Sequence, residues 1–190
     1  TQRNLLRYLE FSFPNRGLLK ITGIARILKT NLKAEKFEDL KIPLHIAVTN
    51  LNKGKANYFS EGSLHNVILA SSTIPGLVMP IRWNKYTYVD GGVMDNFPIK
   101  PIWNDCKKLI GVHLNPDIIH GDFPNLLSIL EHAFHLSVSR NVAYKSKKCD
   151  LFLEPPSLNQ FTITDVRKAE EIYKIGYEYA SKVLEKEIEA

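Results

Sequence analysis

Cysteine is scarce in this chain: 190 residues hold two, Cys106 and Cys149. Two thiols do not make a disulfide framework, and a reducing, cytoplasmic compartment is the expected setting. Neither has Cys or His partners at ligand spacing, which argues against a zinc site. No stretch approaches the roughly eighteen consecutive apolar residues of a membrane span. The residues after Thr1 lack a signal-peptide pattern, although a targeting segment upstream of them would not be visible. There is no internal repeat, no low-complexity linker and no calcium-loop pattern, and the Gly-x-Ser-x-Gly turn that carries a nucleophilic serine does not occur. Charge is also modest: the net value of +5 comes from scattered lysines. That dispersal argues against nucleic acid and leaves at most a peripheral contact with an anionic membrane surface. With 44% hydrophobic and 24% charged residues, the composition is that of an ordinary globular domain with a sizeable core.

What the chain does contain is an alternation of strand-like and helix-like segments. Residues 4–10 and 17–31 show the apolar spacing of helices. Leu44–Thr49 is a near-continuous apolar, β-branched run, the pattern of a strand buried on both faces of a parallel sheet, with His45 as a core residue. A polar turn leads to Ala56–Ser60 as its hairpin partner. Leu64–Ser72 reads as a helix that stops ahead of Pro75. Ile81–Trp83 and Tyr86–Val89 flank Asn84-Lys85 as a second hairpin. Further strands are expected at Lys108–Leu114 and Cys149–Leu153, with a helix over residues 125–144 between them. A last helix begins near Thr162–Asp165, capped by Thr162 or Thr164. Its buried stripe runs from Val166 to Leu184 and includes Tyr173 and Tyr177. This order predicts α/β layers around a mostly parallel sheet, in one domain over residues 1–190. Two tempting metal patterns are better read as polar surface. His120 and Asp122 sit in a loop, and Glu131, His132 and His135 lack the His-Glu-x-x-His order. No metal and no cofactor are expected.

The most informative stretch runs from Leu69-Ala70-Ser71-Ser72-Thr73-Ile74-Pro75-Gly76 to Tyr88-Val89-Asp90-Gly91-Gly92-Val93-Met94-Asp95-Asn96-Phe97-Pro98. It sets an acid on a two-glycine turn at the end of a strand, where α/β enzymes keep acids they use. Asp-Gly is equally a plain hairpin signal. The prolines at 98 and 101 count against a returning strand. They favour a loop and a short helix start, with Pro98 in its first turn, and Asp90 on an exposed tip outside any ladder.

Those same residues, Ala70 to Gly76, Pro80, Tyr88 to Gly92, Asn96 and Pro98, resemble the second half of a patatin-like phospholipase domain, and the resemblance covers about Gly17 to His113. It implies a three-layer α/β/α fold and a lipid acyl hydrolase with a Ser–Asp dyad. Asp90 then takes the role of catalytic base, and Gly91 and Gly92 shape the turn that aims it. The helix ending at Ser71-Ser72-Thr73 would pack beside the dyad. Trp83, Tyr86, Tyr88, Phe97, Met79 and Met94 could shelter the carboxylate or line an acyl cleft, or simply pack. The family's serine elbow and glycine-rich oxyanion loop are missing. Ser63, Ser71 and Ser72 lack the flanking glycines an elbow needs. The expectation is therefore the C-terminal portion of such a domain, lacking its N-terminal strands, inactive alone, with the serine on a segment outside the chain. Its expected partners are a lipid or ester substrate and either that missing segment or a second copy. A non-catalytic lipid- or partner-binding module, truncated or degenerate, is the alternative.

Overall fold

The computed structural model describes residues 10–11, 19–20, 22–75, 78–114, 116, 129, 132–133, 136, 142–161 and 165–189. The chain divides into two compact units, one ending at Ile102 and the other beginning at Trp103. Most of the first helix predicted, over residues 4–10, lies outside the described residues, as do Gly76, the loop with His120 and Asp122, Glu131, His135, and the proposed caps Thr162 and Thr164.

The first unit is built on two hairpins laid side by side. Strands β1 (Glu10–Phe11) and β2 (Leu19–Lys20) pair antiparallel ahead of helix α1 (Thr22–Asn31). The main sheet comprises β3 (Ile46–Asn50), β4 (Lys55–Phe59), β5 (Ile81–Trp83) and β6 (Tyr86–Asp90) in the order β4-β3-β6-β5. Between β3 and β4 the chain turns on Asn50, whose side-chain oxygen accepts from the Asn52 and Lys53 amides, both at 3.1 Å. Between β5 and β6 it turns on Asn84 and Lys85, with φ of 48° and 69°. Two left-handed residues in succession match the twist of a tight hairpin.

Helix α2 (Leu64–Ser71) lies against β3 and β6 and buries Leu64, Val67 and Ala70. With Phe37, Val48 and Tyr88 they form the core of this unit. Phe59, Trp83 and Tyr88 add an aromatic cluster, with ring centroids 5.3–6.1 Å apart. These aromatics serve packing. Burying side chains of this size is worth about 1.5–3 kcal/mol each relative to exposure.

The α/β character expected from the sequence is present, but the sense of the main sheet differs. All three of its strand pairs are antiparallel. The short turns at Leu51–Gly54 and Asn84–Lys85 can only join antiparallel neighbours, because a parallel pair needs a crossover of a dozen or more residues. β3 looked like a parallel strand because it is central, and Ala47 to Asn50 are all buried.

The second unit does contain parallel pairing. Strands β7 (Ile110–Val112) and β8 (Leu151–Leu153) run parallel, with helix α3 (Val142–Ser146) between them in the chain. The Asp150 carboxylate accepts from the Leu109 amide at 2.6 Å and holds the two strand starts together. Helix α4 (Ala169–Glu189) closes the unit, preceded by a short 3-10 turn at Val166–Lys168. It begins later than expected, and its partly buried side is Ile172, Ile175, Tyr179 and Val183. Tyr173 and Tyr177, assigned to the buried stripe from sequence, are 70% and 62% exposed and stack on one another at 6.0 Å. Leu184 is exposed as well. The apolar surface of this helix is wider than the face it buries, which periodicity alone cannot resolve.

Candidate functional site

β6 delivers Asp90 as its last residue, and Asp90 pairs in register with Val48 on β3. It is therefore part-buried at the end of a ladder, and not on an exposed tip outside one. The pairing with β5 stops at Tyr88, but the pairing with the central strand β3 runs on from Tyr88 to Asp90. Side chains alternate across a sheet, so Asp90 shares a face with Val48 and Tyr88, the face covered by α2. Its amide donates to the Thr73 carbonyl at 2.9 Å. The end of α2 thus meets this strand end as the small residues Ser71-Ser72-Thr73 suggested. Thr73 is fully buried, and its hydroxyl donates to the Ala70 carbonyl.

Immediately after Asp90 the chain enters a 3-10 turn, Gly91–Val93, with Asp90 as its N-cap. A carboxylate oxygen of Asp90 accepts from the Gly92 amide at 2.8 Å, which fixes the side chain over the turn. Burial pushes the Asp90 carboxyl above its ordinary value, and the Gly92 donor offsets only part of that rise. A buried carboxylate with few donors is a stronger base than one in water.

The two glycines act differently from the sequence reading. Neither has a positive φ, so the turn is not one that only glycine can adopt. Gly91 is needed for space: a methyl group on it would lie 2.4 Å from the Ala47 carbonyl oxygen. At Gly92 the nearest atoms to such a methyl are the Asn96 side-chain oxygen at 3.1 Å and the Asp90 carboxylate at 3.2 Å. Nor does Pro98 start a helix; residues 100–105 are turns.

The serines in this unit offer no elbow. Ser63 precedes α2, Ser71 ends it, and the Ser72 hydroxyl donates to the Ile68 carbonyl at 2.8 Å. Burial and then the Asp150 charge push the Cys149 thiol up, which disfavours its thiolate form. Among the described residues, no three His, Cys, Asp or Glu side chains group to hold a metal ion, and no helix is long and apolar enough to cross a membrane.

Two polar pairs escaped the sequence reading. On the sheet face opposite Asp90, the Tyr58 hydroxyl of β4 donates to the buried Asp95 carboxylate at 2.6 Å. In the second unit, His113 Nδ1 lies 2.7 Å from a Glu154 carboxylate oxygen, just beyond the C-terminal ends of β7 and β8. Nothing in the spacing of either pair announces it, because 37 and 41 residues separate the partners.

A family model described as patatin-like phospholipase matches residues 1–103, more than half of the chain. The chain belongs to the patatin-like phospholipase family. Among its curated relatives, Lysophospholipase NTE1 of Meyerozyma guilliermondii is 28% identical over 89% of this chain and 13% of its own length. Lysophospholipase NTE1 of Candida albicans is 26% identical over 87% of the chain and 13% of its own length. An NTE family protein of Mycobacterium tuberculosis is 34% identical over 60% of the chain and 32% of its own length. The chain thus spans about an eighth of the fungal relatives it matches and a third of the mycobacterial one. Patatin-like membership and lysophospholipase relatives make hydrolase and lipid metabolism the family-level description.

Proposed function

We propose that this chain is the base-bearing part of a serine-dependent lipid acyl hydrolase, with Asp90 accepting the proton of a serine that lies outside these 190 residues. The observation that carries the reading is the setting of Asp90. It is a part-buried carboxylate at a strand end, raised in basicity by burial and held by one turn amide at 2.8 Å. In such a mechanism the serine hydroxyl would give its proton to Asp90 as it attacks the ester carbonyl. The developing oxyanion would need donors from outside this chain. The acid would then return its proton to the leaving alcohol, and a water activated by the same carboxylate would release the acyl group. Gly91 lets the turn lie close against β3, and the Gly92 amide holds the carboxylate. The lysophospholipase relatives support a glycerolipid ester as substrate. The free thiols Cys106 and Cys149 favour a cytoplasmic setting. On this reading residues 1–190 form one domain with the serine-bearing segment and are inactive without it.

The test is fluorophosphonate labelling of the full-length protein, with the modified peptide read by mass spectrometry, alongside ester turnover of Asp90→Asn. The expected result is a label on one serine outside these residues and loss of turnover in a variant that remains folded. Undiminished turnover in Asp90→Asn would remove Asp90 from the mechanism. No label anywhere would point to a binding module.

A further inference from the structure

Asp90 faces the α2 side of the sheet, but the turn that follows it is tied to a residue of the opposite face that has no part in the dyad. Gly91 lies directly over Ala47 of β3. Ala47 pairs in register with Tyr58 of β4, so Tyr58 stands next along the same face. The Gly91 carbonyl accepts from the Met94 amide at 3.0 Å and the Asp95 amide at 2.8 Å, which closes the turn. Two bonds of the Asp95 side chain run in different directions. One carboxylate oxygen accepts from the Phe97 amide at 3.2 Å, and the other accepts from the Tyr58 hydroxyl at 2.6 Å.

We propose that the Tyr58–Asp95 pair is a positioning clamp. It ties the turn carrying Asp90 to strand β4 and so holds the Gly92 amide on the Asp90 carboxylate. The clamp rests on the reading of Asp90 as base and adds to it two residues that never touch the substrate. Three features make this more than a surface contact. Asp95 is buried, so its carboxylate cannot exchange Tyr58 for bulk water at no cost. The hydroxyl-to-carboxylate bond is short and charge-assisted, the strong kind. Burial, then the hydrogen bond to Asp95 and the Asp95 charge, push the Tyr58 hydroxyl above the ordinary phenol range, which keeps it the donor. The pair also joins the edge strand β4 to a turn that follows β6, two strands away across β3. No backbone ladder makes that connection.

The chemistry needs such a clamp because the Asp90 carboxylate has to keep one orientation toward an attacking hydroxyl. Displacement by about 1 Å can cost on the order of a hundredfold in rate. Tyr58→Phe keeps the ring and removes only the hydroxyl.

The experiment uses the full-length protein. Fluorophosphonate titration counts competent sites, so that misfolded material drops out. Hydrogen exchange with mass spectrometry reads residues 90–97. For Tyr58→Phe the expected result is kcat per titrated site about tenfold lower, KM within twofold of the parent, and faster exchange confined to that segment. The acid limb of the rate profile moves to higher pH, because the carboxylate form loses its Gly92 donor. Asp95→Asn keeps one side-chain oxygen for a donor and falls between Tyr58→Phe and the parent. An unchanged kcat per titrated site in an enzyme that Asp90→Asn inactivates would overturn the clamp. So would unchanged exchange at residues 90–97. If Asp90→Asn retained full turnover, the base reading itself would fail, and the exchange result alone would decide whether the clamp holds the turn.

Discussion

Gly91→Ala adds a single methyl group where the turn after Asp90 meets Ala47 of β3. That carbon would fall 2.4 Å from the Ala47 carbonyl oxygen, 2.6 Å from its carbonyl carbon and 2.8 Å from its Cβ. Contacts under 3.0 Å essentially never occur, so the turn and β3 must separate by at least 0.6 Å. Two of the three obstructing atoms are backbone in the middle of a four-stranded sheet and cannot rotate away. Overpacking of this kind costs about 1–3 kcal/mol. The same shift breaks the 3.4 Å contact between the Thr49 hydroxyl and the Gly91 carbonyl and strains the closure by Asp95, a further loss of about 1 kcal/mol. The total is about 2–4 kcal/mol. Gly92→Ala is the internal control. Its neighbours at 3.1 and 3.2 Å are side-chain oxygens of Asn96 and Asp90 that need give by only a few tenths of an ångström, and the reduced freedom of the unfolded chain offsets part of the strain. Its cost is about 0–1 kcal/mol. Urea unfolding followed by tryptophan fluorescence and far-ultraviolet dichroism would separate the two. With a slope of about 2 kcal/mol per molar, Gly91→Ala should lower the midpoint by about 1–2 M and Gly92→Ala by no more than about 0.5 M. Equal midpoints would refute the reasoning, since the two substitutions would differ only in the space the structure gives them.

Other consequences are open to the same treatment. Asp90 is raised by burial, so its folded form resists ionisation; the stability it allows is complete below the unfolded pKa and is lost as pH rises through the folded one. Asp90→Asn should accordingly be more stable than the parent at pH 7, with the gain shrinking on acidification and vanishing near pH 3, where the parent carboxyl is itself neutral; thermal unfolding at the two pH values checks this. Lys85→Gly relieves a left-handed residue in the β5–β6 turn and should stabilise by about 0.5–1 kcal/mol, visible as a raised melting temperature. Asn50→Ala removes the acceptor for two loop amides next to a buried strand end and should cost about 1–2 kcal/mol by urea unfolding.

Local chemistry was legible where local physics decides. The Asn84-Lys85 turn, the β3–β4 hairpin and the length of α2 follow from periodicity and turn residues, and each lies within two residues of its expected bounds. The parallel β7–β8 pair also follows from its apolar runs. Strand sense around β3 did not follow, because an apolar run reports burial on two faces and says nothing of direction. The position of Asp90 in a ladder was hidden for a similar reason. The prolines correctly excluded a returning strand, but they carry no information on how far β6 stays paired. Gly91 was singled out for the wrong property: sequence suggests conformational freedom, whereas the requirement is clearance from Ala47. Tyr58 and Asp95 were unreadable because their relationship is made only by the sheet order.

The two hairpins of the first unit have a kinetic consequence. β3 and β4 are joined by Leu51–Gly54, and β5 and β6 by Asn84–Lys85, so each pair can close on its own in about 1–10 μs. The seam between β3 and β6 is another matter. It unites segments such as Thr49 and Gly91, 42 residues apart, and forms only once both hairpins and α2 have met. The pairing of Asp90 with Val48 and the approach of Gly91 to Ala47 both lie on that seam or at its end. A chain with most of its hairpin and helix content in place would still have no site, and a lesion along β3 or β6 would silence the site before it dissolved the hairpins.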